Sequence, residues 1–278
     1  VHCATFLNSN VSHEEREERL NAIHKGEKSI LYIAPEMLLT TSLETLLGGR
    51  RLGLFVVDEA HTVTSWGRDF RADYWFMGDY LERQRKNGLH FPVLCLTATA
   101  VFGGRDDVVQ DTISTLGLNQ PILYLGRVRR DNIDFDIHSL DKQTDESRDE
   151  FKVNHVAQKI AEYVAEGKKT LVYCPFRSTV DSIYQAVPFS VKDKVRRYHA
   201  GMERGEKNAA QDAFKNNKAI VMICTKAFGM GVDVPDIVQV YHYAPTGNLA
   251  DYVQEIGRCA RDKNLRGTAV EEYLPGDL

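Results

Sequence analysis

Asp58 and Glu59 stand side by side at the end of the apolar run Phe55-Val56-Val57, and Ala60-His61 follow them. Two carboxylates delivered at the tip of a strand suit phosphoryl chemistry on a nucleotide. One holds Mg2+ through water beside the phosphates, and the other orients or deprotonates the attacking water. The acids must be neighbours because one faces the metal while the other reaches the γ-phosphate. A solvated acidic turn would use the same dipeptide, but the apolar residues before it and Ala60-His61 after it favour the catalytic reading. No second histidine stands four residues from His61, so the pattern is not that of a zinc protease helix.

Trp66, Arg68, Asp69, Phe70 and Arg71 crowd together just beyond the acids. Aromatic faces stack on the bases of single-stranded nucleic acid whatever their sequence, and arginines contact phosphates. Trp66 and Phe70 would serve equally as core anchors. Further on come "LTATA", with Thr97 and Thr99, and "YCPFR", with Arg177. "CTKAFGMGVDVPD" carries Thr225, Gly229, Gly231 and Asp233, and its two glycines permit close backbone approach to a phosphate chain. "QEIGRCARD" carries Gln254, Gly257, Arg258, Arg261 and Asp262, with the two arginines three apart on one face of an expected helix end.

These residues need elements to hold them. Short apolar, β-branched runs ("CATFL", "SILYIAP", "LGLFVV", "FPVLCLT", then "IDFDIH", "KTLVYC", "AIVMIC", "IVQVYHY", "TAVEEYL") alternate with stretches of helical period. Helices are expected from Ser12, where Ser12 and Glu15 have the spacing of a capping box, and over 73–86, 106–116, 153–166, 178–186, 204–215 and 248–258. Strands buried on both faces and alternating with helices predict an α/β fold with largely parallel sheets. In such sheets ligands lie at the carboxyl ends of strands, where Asp58 and Glu59 fall. "HSLDKQTDESRDE" is polar and without apolar period, which predicts a linker or exposed loop. The chain thus reads as two units, 1–127 and 128–278, with a cleft between them as the expected site.

Taken in order, these segments resemble the motifs of RecQ-family helicases, within helicase superfamily 2. "DEAH" with "SWGRDFRADY" resembles the Walker B motif and its aromatic-rich loop, and "LTATA" resembles motif III. "YCPFR", "CTKAFGMGVDVPD" and "QEIGRCARD" resemble motifs IV, V and VI. "YHAG", Tyr198 to Gly201, matches a further family segment. The resemblance implies two RecA-like lobes, the first incomplete at its N-terminus, and ATP and Mg2+ as cofactors. It implies 3′-to-5′ translocation on single-stranded DNA and separation of partly duplex DNA. Asp58 would hold Mg2+, Glu59 with His61 would act on the water, and Arg258 and Arg261 would reach across the cleft as arginine fingers. Gln254, Gly229, Gly231 and Asp233 would serve the nucleotide. Trp66, Arg68, Phe70, Arg71, Thr97, Thr99, Arg177 and Thr225 would meet DNA.

Departures from the family pattern are Cys259-Ala260 for Ala-Gly, Arg68 for histidine, Phe176 for serine and Asp131 for proline. None removes a catalytic group. The sequence contains no Gly-x-x-x-x-Gly-Lys-Ser/Thr loop, since "GMERGEK" has the wrong spacing, so these residues alone should hydrolyse ATP poorly. A chain starting at Val1 and entering a strand at once reads as a piece of something longer.

Bulk properties agree. The chain has 278 residues, 43% hydrophobic and 27% charged, which fits a globular protein of one large or two ordinary domains. No run of about 18 apolar residues offers a membrane span. A net charge of −4 argues against holding nucleic acid by bulk charge and leaves room for local basic patches. Five scattered cysteines, without metal spacing or secretory signal, point to a reducing, intracellular setting, cytoplasmic or nuclear. Two other readings stay open: a non-catalytic nucleic-acid-binding or scaffolding subunit with this fold, and an RNA helicase of the same superfamily.

Overall fold

A computed structural model of the chain describes residues 3–8, 11–63, 72–98, 102–103, 107–126, 129–142, 145–228 and 233–277, with backbone alone for 72–75. It is α/β and divides into two compact units, Val1–Arg127 and Val128–Leu278.

The first unit runs β1 (Ala4–Leu7), α1 (His13–His24), β2 (Ile30–Ile33), α2 (Met37–Thr40), α3 (Leu43–Leu47), β3 (Phe55–Val57), α4 (Ala72–Lys86), β4 (Val93–Cys95) and α5 (Val108–Thr115). β1 pairs with β2 and β3 with β4, both parallel. The capping box of α1 is present, with Ser12 Oγ accepting from Glu15 N–H and the Glu15 carboxylate accepting from Ser12 N–H. Val57, Ala60, Val63, Met77, Leu81 and Leu116 form one core cluster, and Leu7, Leu38, Leu43, Leu46 and Tyr80 another. Burial on both strand faces, expected from the sequence, does not hold here. Alternate side chains point away from these clusters, leaving Phe6, Tyr32, Val56 and Leu94 exposed.

The second unit contains β5 (Ile133–Ser139), α6 (Arg148–Ala165), β6 (Thr170–Tyr173), α7 (Arg177–Ala186), β7 (Val195–Tyr198), α8 (Arg204–Lys215), β8 (Val221–Cys224), β9 (Gln239–His242), α9 (Leu249–Ile256) and β10 (Gly267–Tyr273). Its strands form one parallel sheet of six in the order β5-β10-β9-β6-β8-β7. Every residue of β6, β8 and β9 is buried, because helices cover both faces of the middle of the sheet. The edge strand β5 is exposed beyond Ile133.

Two further sequence expectations are corrected. α6 starts at Arg148, five residues before the expected Val153, because Ser147 caps it by accepting from Glu150 N–H at 3.2 Å. The stretch read as a linker therefore ends as a helix N-terminus. α9 stops at Ile256, with Gly257 as its cap, so Arg258 and Arg261 lie in the turns beyond it and not on one helix face. Ala260, at φ +46°, turns the chain between them.

Candidate functional site

In the first unit the register of β3 on β4 pairs Phe55 with Val93 and Val57 with Cys95. The ladder continues past the strands: Leu96 N–H donates to Val57 O, and Ala60 N–H donates to Leu96 O, both at 2.9 Å. Asp58 and Glu59 are therefore a two-residue tip between fixed hydrogen bonds. Glu59 occupies the left-handed region at φ +49°, a conformation an L-residue adopts at a cost. A short 3-10 turn, Ala60–Val63, follows, anchored by the buried Ala60 and Val63. The Glu59 carbonyl accepts from Thr62 N–H at 2.9 Å and from Thr62 Oγ1 at 2.8 Å. The strained residue is thus held from both sides.

Both carboxylates are exposed at the tip. Asp58 Oδ1 accepts from Glu59 N–H at 2.9 Å. His61 Nδ1 lies 2.9 Å from Thr97 Oγ1 and 3.4 Å from Glu59 Oε2. Three residues singled out from sequence thus meet, and the histidine connects the second acid to the "LTATA" segment. Among the described residues no group of three or more His, Cys, Asp or Glu could hold a metal as a protein cage. One exposed carboxylate, a hard oxygen donor, fits Mg2+ that keeps waters and shares nucleotide phosphates. Asp58 is the residue that would hold it.

In the second unit, Arg177 is the first residue of α7, at the carboxyl end of β6. A Cβ on Gly201 would sit 3.3 Å from Arg177 Nη1 and 3.2 Å from His199 Nδ1, so the arginine lies over the "YHAG" turn that follows β7. Thr225 ends the apolar run of β8, and its N–H donates to Tyr198 O at 3.3 Å. The exposed Asp233 accepts from Arg261 Nη1 at 2.9 Å, joining the segment that resembles motif V to the one that resembles motif VI. Gln254 is half-buried on α9, and Arg258 follows the Gly257 cap. Trp66, Arg68, Phe70, Arg71, Thr99, Gly229 and Gly231 lie outside the described residues.

Sequence reasoning passed over four residues around the "QEIGRCARD" turn. Arg130 Nη2 donates to Cys259 O at 3.1 Å and Ala260 O at 2.6 Å, and Asn132 Nδ2 donates to Ala260 O at 2.9 Å and Leu265 O at 3.0 Å. Both flank Asp131, noted above only as a departure from the family pattern; an amide with two donors just before a strand was the available signal. The other two, His242 and Glu255, meet at 2.8 Å. Thirteen residues separate them, and no local pattern announces the pair.

Residues 2–106 match the DEAD/DEAH box helicase family and residues 152–263 the helicase conserved C-terminal domain. The chain is 34% identical over 275 residues to the probable ATP-dependent DNA helicase RecS of Bacillus subtilis, covering 99% of this chain and 51% of that protein. It is 31% identical over 279 residues to the ATP-dependent DNA helicase RecQ of Pasteurella multocida, covering 99% and 40%. The chain thus spans about half or less of the length of these relatives. Among solved structures, the RNA- and AMP-PNP-bound Mss116p shares the fold with a TM-score of 0.73 at 18% identity, over 98% of this chain and 53% of that one. Mycobacterium smegmatis helicase Lhr, bound to single-stranded DNA and AMP-PNP, gives 0.73 at 15%, over 98% and 35%. At such identities the structures speak for the RecA-like fold alone. The sequence relatives and the two domain matches, laid over the ordered motifs, go further: the chain belongs to the RecQ family of superfamily 2 helicases.

Proposed function

We propose that this chain forms the ATP-hydrolysing, strand-moving part of an intracellular DNA helicase that travels 3′-to-5′ on single-stranded DNA and separates duplexes ahead of it. What supports this most is the tip of β3, where Glu59 is held in a left-handed conformation and its carboxylate lies 3.4 Å from a histidine that also touches Thr97. Asp58 would hold Mg2+. The ion, when bound, supplies charge to the phosphate oxygens. Glu59 orients the attacking water and takes up its proton, with His61 fixing the carboxylate.

In the second unit, Arg258 and Arg261 supply positive charge to the transferring phosphoryl group, and Gln254, Gly229, Gly231 and Asp233 serve the nucleotide. Arg261 is already set by its hydrogen bond to Asp233. Arg177, Thr225, Thr97 and Thr99 contact the nucleic-acid backbone, and Trp66, Arg68, Phe70 and Arg71 stack on and pair with the strand. Because "LTATA" and the β3 tip share the His61–Thr97 contact, strand occupancy reaches the catalytic acid through one side chain.

Strand separation by the full-length gene product tests this. Duplexes with a 3′ single-stranded tail are expected to be unwound with ATP, and those with a 5′ tail are not. Preference for the 5′ tail would overturn the direction. Equal or better unwinding of RNA duplexes would overturn the DNA assignment.

A further inference from the structure

Tyr173, Cys224 and His242 end three adjacent strands of the second sheet, and the register pairs Tyr173 with both Cys224 and His242. All three are buried. The His242 ring stacks on Tyr173 at 5.7 Å between centroids and lies against Tyr252 of α9 at 5.0 Å. Its Nε2 is 2.8 Å from Glu255 Oε2, and Nδ1 makes no hydrogen bond. A carboxylate only accepts, so Nε2–H donates to it. The Glu255 side chain is itself only 13% exposed.

Glu255 is also where Arg258 begins. The Arg258 N–H donates to Glu255 O at 3.2 Å across the turn that ends α9. Burial drives the Tyr173 phenol well above its ordinary pKa, and Arg258 pulls it back while Glu255 pushes it up; the buried Cys224 thiol feels the same two charges. The charges of Arg258 and Glu255 thus both act on the strand ends against which His242 packs. A histidine at a strand end thereby holds the last turn of α9, from which Arg258 follows.

We infer that His242, through its hydrogen bond to Glu255 and its stack on Tyr173, is a positioning residue that sets the direction of Arg258. The inference rests on the reading that Arg258 serves the phosphoryl group. A buried pair joined by one hydrogen bond suits this task, because misplacing a catalytic group by about 1 Å can cost some 100-fold in rate.

The test uses ATP turnover by the full-length gene product with single-stranded DNA. Arg258→Ala should lower kcat about 1000-fold. His242→Leu and Glu255→Leu should lower kcat at least about tenfold while KM for ATP stays within about twofold. His242→Gln, which still donates, and Glu255→Gln, which still accepts, should each recover most of the loss. If Arg258→Ala is damaging and both leucine variants, folded by thermal unfolding, turn over within about twofold of wild type, the positioning role is wrong. If Arg258→Ala has no effect, the reading of Arg258 fails instead, and the arginine's own order decides the positioning claim. In the 15N-arginine-labelled chain, the Arg258 Nε–Hε signal should be rigid in wild type and mobile in Glu255→Leu; equal rigidity in both overturns it. Should the leucine variants not fold, the imidazole 15N spectrum of the unaltered chain decides. A slowly exchanging Nε2–H on His242 supports the pair, and an Nδ1–H tautomer overturns it.

Discussion

At the residue scale, the decisive feature is a glutamate in a conformation that glutamate avoids. Glu59 has φ +49°, and the hydrogen bonds of Ala60, Thr62 and Leu96 leave its backbone little choice. An L-residue there costs about 1–2 kcal/mol, which glycine avoids at an entropic cost of about 0.5–1 kcal/mol. Glu59→Gly should therefore stabilise the first unit by roughly 0.5–1 kcal/mol while ending turnover, and chemical denaturation read beside an ATPase assay checks both. A variant that is less stable than wild type would mean the left-handed backbone is not strained. The sequence makes the chemistry of Asp58 and Glu59 legible through residue type and position. It does not reveal the φ angle, because neither Glu59 nor Ala260 is a residue type that marks a left-handed turn. Ala260 instead keeps its turn because Arg130, Asn132 and Ile237 take up its backbone groups.

At the element scale, most strands and helices could be read in advance because apolar runs and caps are local signals. Ser12 with Glu15 announces α1, and Asn248, which accepts from Asp251 N–H at 2.8 Å, announces α9. What escaped reading depends on partners distant in sequence. The start of α6 was hidden in a polar stretch. The same helix carries Lys152, whose side chain is 3% exposed and which pairs with Asp277, 125 residues away.

Asp277 also pairs with Arg148, and Glu272 accepts from His155 at 2.7 Å and Tyr241 at 2.9 Å. Burial pushes both carboxyls up, but these partners outweigh it and hold each below its ordinary value; Lys169 does the same for Asp236. A carboxylate with a folded pKa below its unfolded one binds fewer protons when folded. Its stabilisation is complete above the unfolded values, 3.8 for aspartate and 4.5 for glutamate, and is lost as pH falls through the lower folded ones. The thermal midpoint of the second unit should therefore be flat from about pH 7 to 5 and fall below about pH 4. Asp277→Asn leaves Lys152 buried without its counter-charge and should cost about 3 kcal/mol at neutral pH. That gap should narrow in acid, and a gap of equal size at about pH 7 and pH 3 would contradict the account.

At the scale of the molecule, the chain carries the acids of the first unit and the arginines of the second, but no Gly-x-x-x-x-Gly-Lys-Ser/Thr loop to cradle phosphates. It also spans about half or less of its relatives' length and leaves Phe6, Tyr32, Val56 and Leu94 of its first unit uncovered. Family and fold were legible because the motifs fall in a fixed order along the chain. The His61–Thr97 contact, through which we propose that nucleotide and strand communicate, was not, since it joins residues 36 apart.

The central claim is that Asp58 and Glu59 serve ATP under the control of DNA. Steady-state ATP hydrolysis by the full-length gene product, with and without single-stranded DNA and beside Glu59→Gln, tests it most directly. Turnover should be stimulated by DNA and lowered about 100-fold or more by Glu59→Gln, with the 278-residue chain alone no faster than that variant. Turnover that ignores DNA, or that survives Glu59→Gln, would contradict it.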